Sequence, residues 1–156
     1  MTRHAVATFL AACSVPEPPV AAPIRGIRPV VESRVIEAVN AERRHTGLSN
    51  LVVSDVIRHE ARVHSADMRD GTLPLGHSGF DDRIAAIDRT IVVISAGENI
   101  TTNRGFADPS WKAVSDWTGS SEHLANMTGD FDLTGVGVVE GPEGVYWFTQ
   151  IFVATW

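Results

Sequence analysis

From residue 30 onward, apolar side chains recur at helical spacing. Val31, Val35, Ala38 and Val39 form one stripe, with Glu32, Glu37, Glu42, Arg43 and Arg44 largely elsewhere, which predicts an amphipathic helix that Gly47 ends. The Arg43, Arg44, His45 cluster falls in the last turn, where cations meet the negative end of the helix dipole, and reads as a capping feature. Ser54 is the N-cap of a second helix, whose apolar stripe runs Ile57, Ala61, His64 and Met68 until Asp70 and Gly71 stop it. On that buried stripe His64 reads as a core histidine hydrogen-bonded to a neighbouring backbone group. The turn-rich stretch GTLPLGHSG precedes a short helix over 80–87, and the β-branched run 91–94 reads as a strand leading into AGENI. Asp108 before Pro109 starts another helix, with Trp111, Val114 and Trp117 as its apolar face, and a further start lies at Ser120 or Ser121. Alternation then takes over: Val136 and Val138, then Val145, Trp147, Thr149 and Ile151, flank EGPEG in the manner of a hairpin. Helices followed by a terminal hairpin give an α+β class, helices packed on a small antiparallel sheet. Trp117, Trp147, Phe148 and Phe152 are the expected core between helix and sheet, with Gly135 and Gly137 allowing close approach.

Composition narrows the reading without redirecting it. The 156 residues, 44% hydrophobic and 21% charged, suit one core and argue against disorder or a fibrous repeat. Thirteen Lys and Arg against nineteen Asp and Glu leave a net charge of −6, which argues against nucleic acid as a partner. Residues 1–13, MTRHAVATFLAAC, resemble a lipoprotein-type signal peptide ending at Cys13, the residue that would be lipidated; as the single cysteine it can form no disulfide within the chain. Residues 14–29 hold five of the eight prolines and read as an extended linker ahead of a domain at 30–156. No apolar run approaches the roughly 20 residues of a membrane span, so membrane association is expected only through a lipid anchor.

Three short motifs carry candidate chemistry: GHSG with His77, AGEN with Glu98, and SSEHLANM with His123 and Asn126. Each is expected at a loop or a helix entry, from which a fold of this size can gather them into one cleft. Two imidazoles and one carboxylate, with a fourth position for water, match an open zinc site, with Asn126 one turn from His123 to orient its ring. The bland reading is a hydrogen-bonded network in which Glu98 closes a loop.

These motifs, with VNAERRHTGL at 39–48, HSADM at 64–68, GVGVV at 135–139 and YWFTQIF at 146–152, make the chain similar to the CAP superfamily, in particular to bacterial SCP-like extracellular members. The resemblance implies a three-layer α-β-α sandwich, a secreted or cell-envelope location, and a cleft lined by a His/Glu/Glu/His tetrad. Carried over by motif, His77 is the first histidine, Glu98 the first glutamate and His123 the second histidine. The place of the second glutamate, three residues after Trp117, holds Ser120, and on a helix Glu122 diverges from His123, so the tetrad reduces to a triad. The expected function is a tethered binding module that recognises a lipid, glycan or peptide in this cleft, with a divalent cation, zinc by ligand type, at His77, Glu98 and His123. The alternative is a metal-dependent hydrolase at the same three residues. A serine hydrolase using Ser78 or Ser121 lacks the G-x-S-x-G elbow.

Overall fold

A computed structural model describes residues 23–156. Cys13, the signal-like segment and most of the proline-rich stretch lie outside the described residues. The elements follow in the order α1 (Pro29–His45), β1 (Val52–Val53), α2 (Asp55–Arg69), α3 (Phe80–Asp88), β2 (Ser95–Arg104), α4 (Pro109–Thr118), α5 (Ser121–Met127), β3 (Leu133–Glu140) and β4 (Val145–Ala154). Four strands form one sheet in the order β1-β3-β4-β2, antiparallel except where β1 runs parallel to β3, so the sheet is mixed.

Strand alternation distributes the two faces. Val136, Val138, Phe148 and Phe152 face α1, α4 and α5, where Val35, Val39, Ala113, Trp117 and Met127 complete one core. Ile151 and Val153 face the opposite way, onto Ile57 and Ala61 of α2 and Ile87 of α3. Helices therefore cover both sides, giving the α-β-α sandwich. Gly135 and Gly137 admit α2 to contact with the sheet: a Cβ at Gly137 would lie 2.3 Å from the Ala61 carbonyl carbon, and one at Gly135 would lie 2.2 Å from the Arg58 nitrogen.

Local chemistry fixes the helix ends. The Ser54 hydroxyl accepts from Ile57 N at the start of α2, and the Asp108 carboxylate accepts from Ser110 N and Trp111 N above Pro109 at the start of α4. Ahead of α1, Ile27 pairs with Val139 and Glu140 N donates to Gly26 O, so the folded body begins before residue 30. Glu32, 2% exposed, accepts from Arg62 and from Val138 N, tying α1 to α2 and to the sheet.

Several expectations need correcting. The run 91–94 is not strand; it bends towards β2, with Val92 and Ile94 exposed, and the strand itself begins at Ser95 and includes AGENI. Residues expected in a loop therefore sit on a rigid edge strand. Trp111 is 63% exposed, because Ser110, Ala113, Val114 and Trp117 make the buried face of α4. Trp147 is half-buried, outside the core, whereas Trp117, Phe148 and Phe152 are fully buried. Arg43 does not cap its own helix. Its guanidinium donates to the carbonyls of Ser49, Met127, Gly129 and Phe131, gathering the C-terminal end of α5 and the loop beyond it onto α1. Finally, β2 is an edge strand two of whose carbonyls are met by side chains: Trp117 Nε1 donates to Ile100 O and Asn126 Nδ2 to Glu98 O.

Candidate functional site

The GHSG motif builds one wall of the site. Gly79 sits at φ +75°, a left-handed conformation that favours glycine, and as N-cap it turns the chain into α3. One turn on, Arg83 points back at β2, while His77 is held on the loop just before the turn. Glu98, in register with Ile151 of β4, shares the face covered by α2 and α3.

Glu98 is 5% exposed and fully engaged. Arg83 Nε donates to Oε2 at 3.0 Å and Nη2 reaches both carboxylate oxygens at 2.8 Å, while Nη1 donates to Ser78 O at 2.8 Å. His77 Nδ1 lies 2.9 Å from Oε1. Because a carboxylate accepts, Nδ1 carries a proton and donates it to Glu98, which orients the ring on a side chain that is 58% exposed. A buried carboxylate needs both a counter-charge and hydrogen bonds to offset its desolvation, and Arg83 supplies both.

His64, on α2, backs this pair. Its Nδ1 lies 3.8 Å from Glu98 Oε2 and 3.0 Å from Thr149 Oγ1, and the Ser65 hydroxyl lies 2.9 Å from both Thr149 Oγ1 and Gly137 O. A carbonyl only accepts, so Ser65 uses its one proton on Gly137, Thr149 donates to Ser65, and His64 Nδ1–H donates to Thr149. The partner is thus a side-chain hydroxyl, not the backbone group expected from sequence. His64 Nε2 is then buried without a hydrogen-bond partner. Burial above all, helped by the charge of Arg83 and by His77 and opposed by the Gly76 backbone, lowers the His64 pKa to about 4.

The other sequence-predicted residues lie across the strand. Asn99, next after Glu98, points to the opposite face, where its amide donates to His123 O and its carbonyl oxygen accepts from Asn126. α5 packs with α1 and α4, and its Met127 belongs to their core. Among the described residues the hydrogen bond at His123 runs through its backbone carbonyl, with none joining its ring to Glu98 or His77. Asn126 binds the Glu98 backbone, so it braces the strand without turning the His123 ring. The three motifs converge on β2, but their side chains divide between its two faces.

Zinc at His77, Glu98 and His123 does not fit this arrangement. Among the described residues no set of three His, Cys, Asp or Glu side chains is placed to hold a metal ion. Both Glu98 oxygens are bound by a permanent cation, and a dication about 4 Å from that guanidinium would meet roughly 8 kcal/mol of repulsion at an effective dielectric near 20. Among the described residues, surface grooves of about 400 to 470 Å³ lie elsewhere; one runs between α3 and the start of β2, lined by Phe80, Ile84, Val93 and Ala96. His64 is the buried, hydrogen-bonded histidine the sequence predicts, but its place behind Glu98 and the whole role of Arg83 are not anticipated, since twelve arginines make one inconspicuous. The signal was available: Arg83 follows Gly79 by one helical turn, as a cation must if it is to return to the loop.

Comparison with known proteins agrees with the fold. The profile of the CAP family, the cysteine-rich secretory protein family, matches residues 36–152. The chain is 34% identical over 128 residues to the uncharacterized protein YkwD of Bacillus subtilis, covering 78% of this chain and 46% of that protein, so it spans less than half of that relative's length. Among solved structures it is similar to an extracellular protein containing an SCP domain from Bacillus anthracis, with TM-score 0.69 and 23% identity over 81% of this chain and 41% of that one. It is also similar to an outer surface protein of Borrelia burgdorferi, with TM-score 0.70 and 14% identity over 81% of this chain and 94% of that one.

Proposed function

The chain belongs to the CAP, or cysteine-rich secretory protein, family, and from that premise we propose that it is an extracellular or cell-surface binding module whose ligand contact is the exposed ring of His77. The ligand is a lipid, glycan or peptide of the cell envelope. Similarity to proteins described as extracellular or outer-surface supports the location, and among the described residues no helix is long and apolar enough to cross a membrane. Lipid anchoring at Cys13 belongs to the same proposal.

One observation carries the reading: Glu98, the only carboxylate that the AGEN motif brings to His77, has both oxygens taken by Arg83. What remains to meet a partner is an exposed imidazole with Nδ1 fixed on Glu98 and its other ring nitrogen free to form a hydrogen bond, an arrangement suited to recognition. A metal-dependent hydrolase would need Glu98 as ligand or base, and its lone pairs are already committed.

The test is binding of a defined panel, peptidoglycan fragments, envelope lipids in vesicles and short peptides, to the wild type and to His77→Ala. His77 is exposed, so its truncation leaves the fold intact. A ligand lost at least tenfold by His77→Ala supports the reading, and a ligand bound equally by both places recognition elsewhere.

A further inference from the structure

We propose that the groove between α3 and the run leading into β2 is a docking site for a peptide segment in which two basic residues flank two apolar ones. The inference does not depend on the His77 contact, and experiment separates the two.

One wall is a stripe of α3. Asp81, Ile84, Ala85 and Asp88 follow the i, i+3, i+4, i+7 spacing of a single helix face, so a carboxylate stands at either end of an apolar stretch. The facing wall is Val93 and Ile94. Both walls are anchored: Val93 N donates to Asp88 Oδ1 at 2.9 Å, and Ile94 N donates to Ala154 O at 2.9 Å. Held backbone on each side lowers the ordering cost of binding. The space between is about 400 Å³, within the range of ligand sites. Ile94, 64% exposed on that fixed backbone, is apolar surface that the fold itself does not cover.

Charge selects the occupant. α3 carries three aspartates and one arginine, and that arginine is turned inward onto Glu98, so the helix offers only negative side chains to solvent. Arg89, next after Asp88, is the C-cap, and neighbouring residues of a helix point about 100° apart. Among the described residues neither Asp81 nor Asp88 is in an ion pair. An acyl chain or a neutral sugar would leave both carboxylates unmatched, whereas a cationic segment complements them. Their positions are seven residues apart, about 10.5 Å along the helix axis. A polyproline-type segment rises about 3.1 Å per residue with three residues per turn, so its first and fourth side chains lie on one side roughly 9 Å apart. The two residues between are left for Ile84, Ala85 and Ile94.

The probe is the end-blocked peptide Pro-Lys-Val-Leu-Lys-Pro, alongside one version with both lysines replaced by glutamate and one with Ser-Ser at the centre. Each is titrated into isotope-labelled protein at physiological ionic strength and followed by amide NMR shifts. Shifts should centre on α3 and residues 93–96, and both altered peptides should bind at least about fivefold more weakly. Asp81→Asn and Asp88→Asn should each weaken the lysine peptide about threefold, and together about tenfold, in keeping with exposed ion pairs. Asparagine at 88 keeps an acceptor for Val93 N, so the wall stays in place. Asp82→Asn, which removes a like charge off the groove, and His77→Ala should each change binding by less than about 1.5-fold. No binding by the wild type, equal binding of the glutamate peptide, or a loss in Asp82→Asn equal to that in Asp81→Asn overturns the proposal. So does a threefold loss in His77→Ala, which moves the peptide to that ring. Groove shifts produced by raising the protein concentration alone, or by lipid vesicles and not by the peptide, give the face to a second copy or to lipid and overturn it as well.

Discussion

Taking the protein from pH 7 to pH 5 is expected to cost about 2 kcal/mol of stability through His64 alone. The folded-state pKa lies near 4 and the ordinary value is 6.5. Between those values the unfolded chain takes up a proton that the folded chain refuses, so stability is complete above about pH 6.5 and falls as the pH drops towards 4. Integrating the linkage from pH 7 gives about 2 kcal/mol lost by pH 5 and roughly 3 kcal/mol by pH 4. The structural cause is specific: the added proton would sit on Nε2, a buried nitrogen that makes no hydrogen bond, on a ring whose neighbour Arg83 is already cationic. Urea denaturation at pH 7, 6 and 5 measures the effect, with His64→Asn as the comparison, because asparagine keeps an N–H near the Nδ1 position and does not titrate. The variant should start less stable but lose about 2 kcal/mol less over the same pH interval. If its loss matches that of the wild type, or if NMR shows His64 titrating near 6.5, the assignment of the buried neutral ring is wrong.

Other outcomes follow from the packing. Arg43→Ala should destabilise by more than about 3 kcal/mol in chemical denaturation, because four carbonyls lose a buried charged donor; Arg43→Lys should recover only part, since an ammonium cannot reproduce the planar fork. Gly137→Ala should abolish or severely weaken folding, seen as lost cooperativity in thermal melts, because the new methyl carbon meets α2 backbone at 2.3 Å, where no rotamer change relieves it.

Local grammar made much of this fold readable in the sequence. Ser54 and Asp108 cap the helices they were expected to cap, and the period-two run through β4 sends Phe148 and Phe152 to one core and Ile151 to the other. The errors share one physical origin. Residues 91–94 have strand-like side chains, yet pairing with β4 begins only at Ser95, and register is a property of two strands that neither announces alone. The same limit applies at the site. His77, Glu98 and His123 are expected in one cleft because each motif reads as a loop or a helix entry, but AGEN lies on a strand, whose adjacent residues face opposite layers. A one-residue step from Glu98 to Asn99 therefore separates the arginine-held carboxylate from the helix carrying His123. Arg83, and the nearness of the buried His64 to Glu98, are not legible for a complementary reason: their meaning lies in what they neutralise or lean against, which emerges only when α2 and α3 come down on the same side of the sheet.

The stopper formed by Trp117 and Asn126 along β2 also governs how copies of this protein meet. An incoming strand that sought those carbonyls would have to lever out an indole that anchors α4 in the interior, unpicking the domain to gain a ladder. The opposite rim offers only Val52 and Val53, too brief a template for stable lateral annealing. At high concentration, copies of this domain are thus expected to crowd side by side without zipping into fibres.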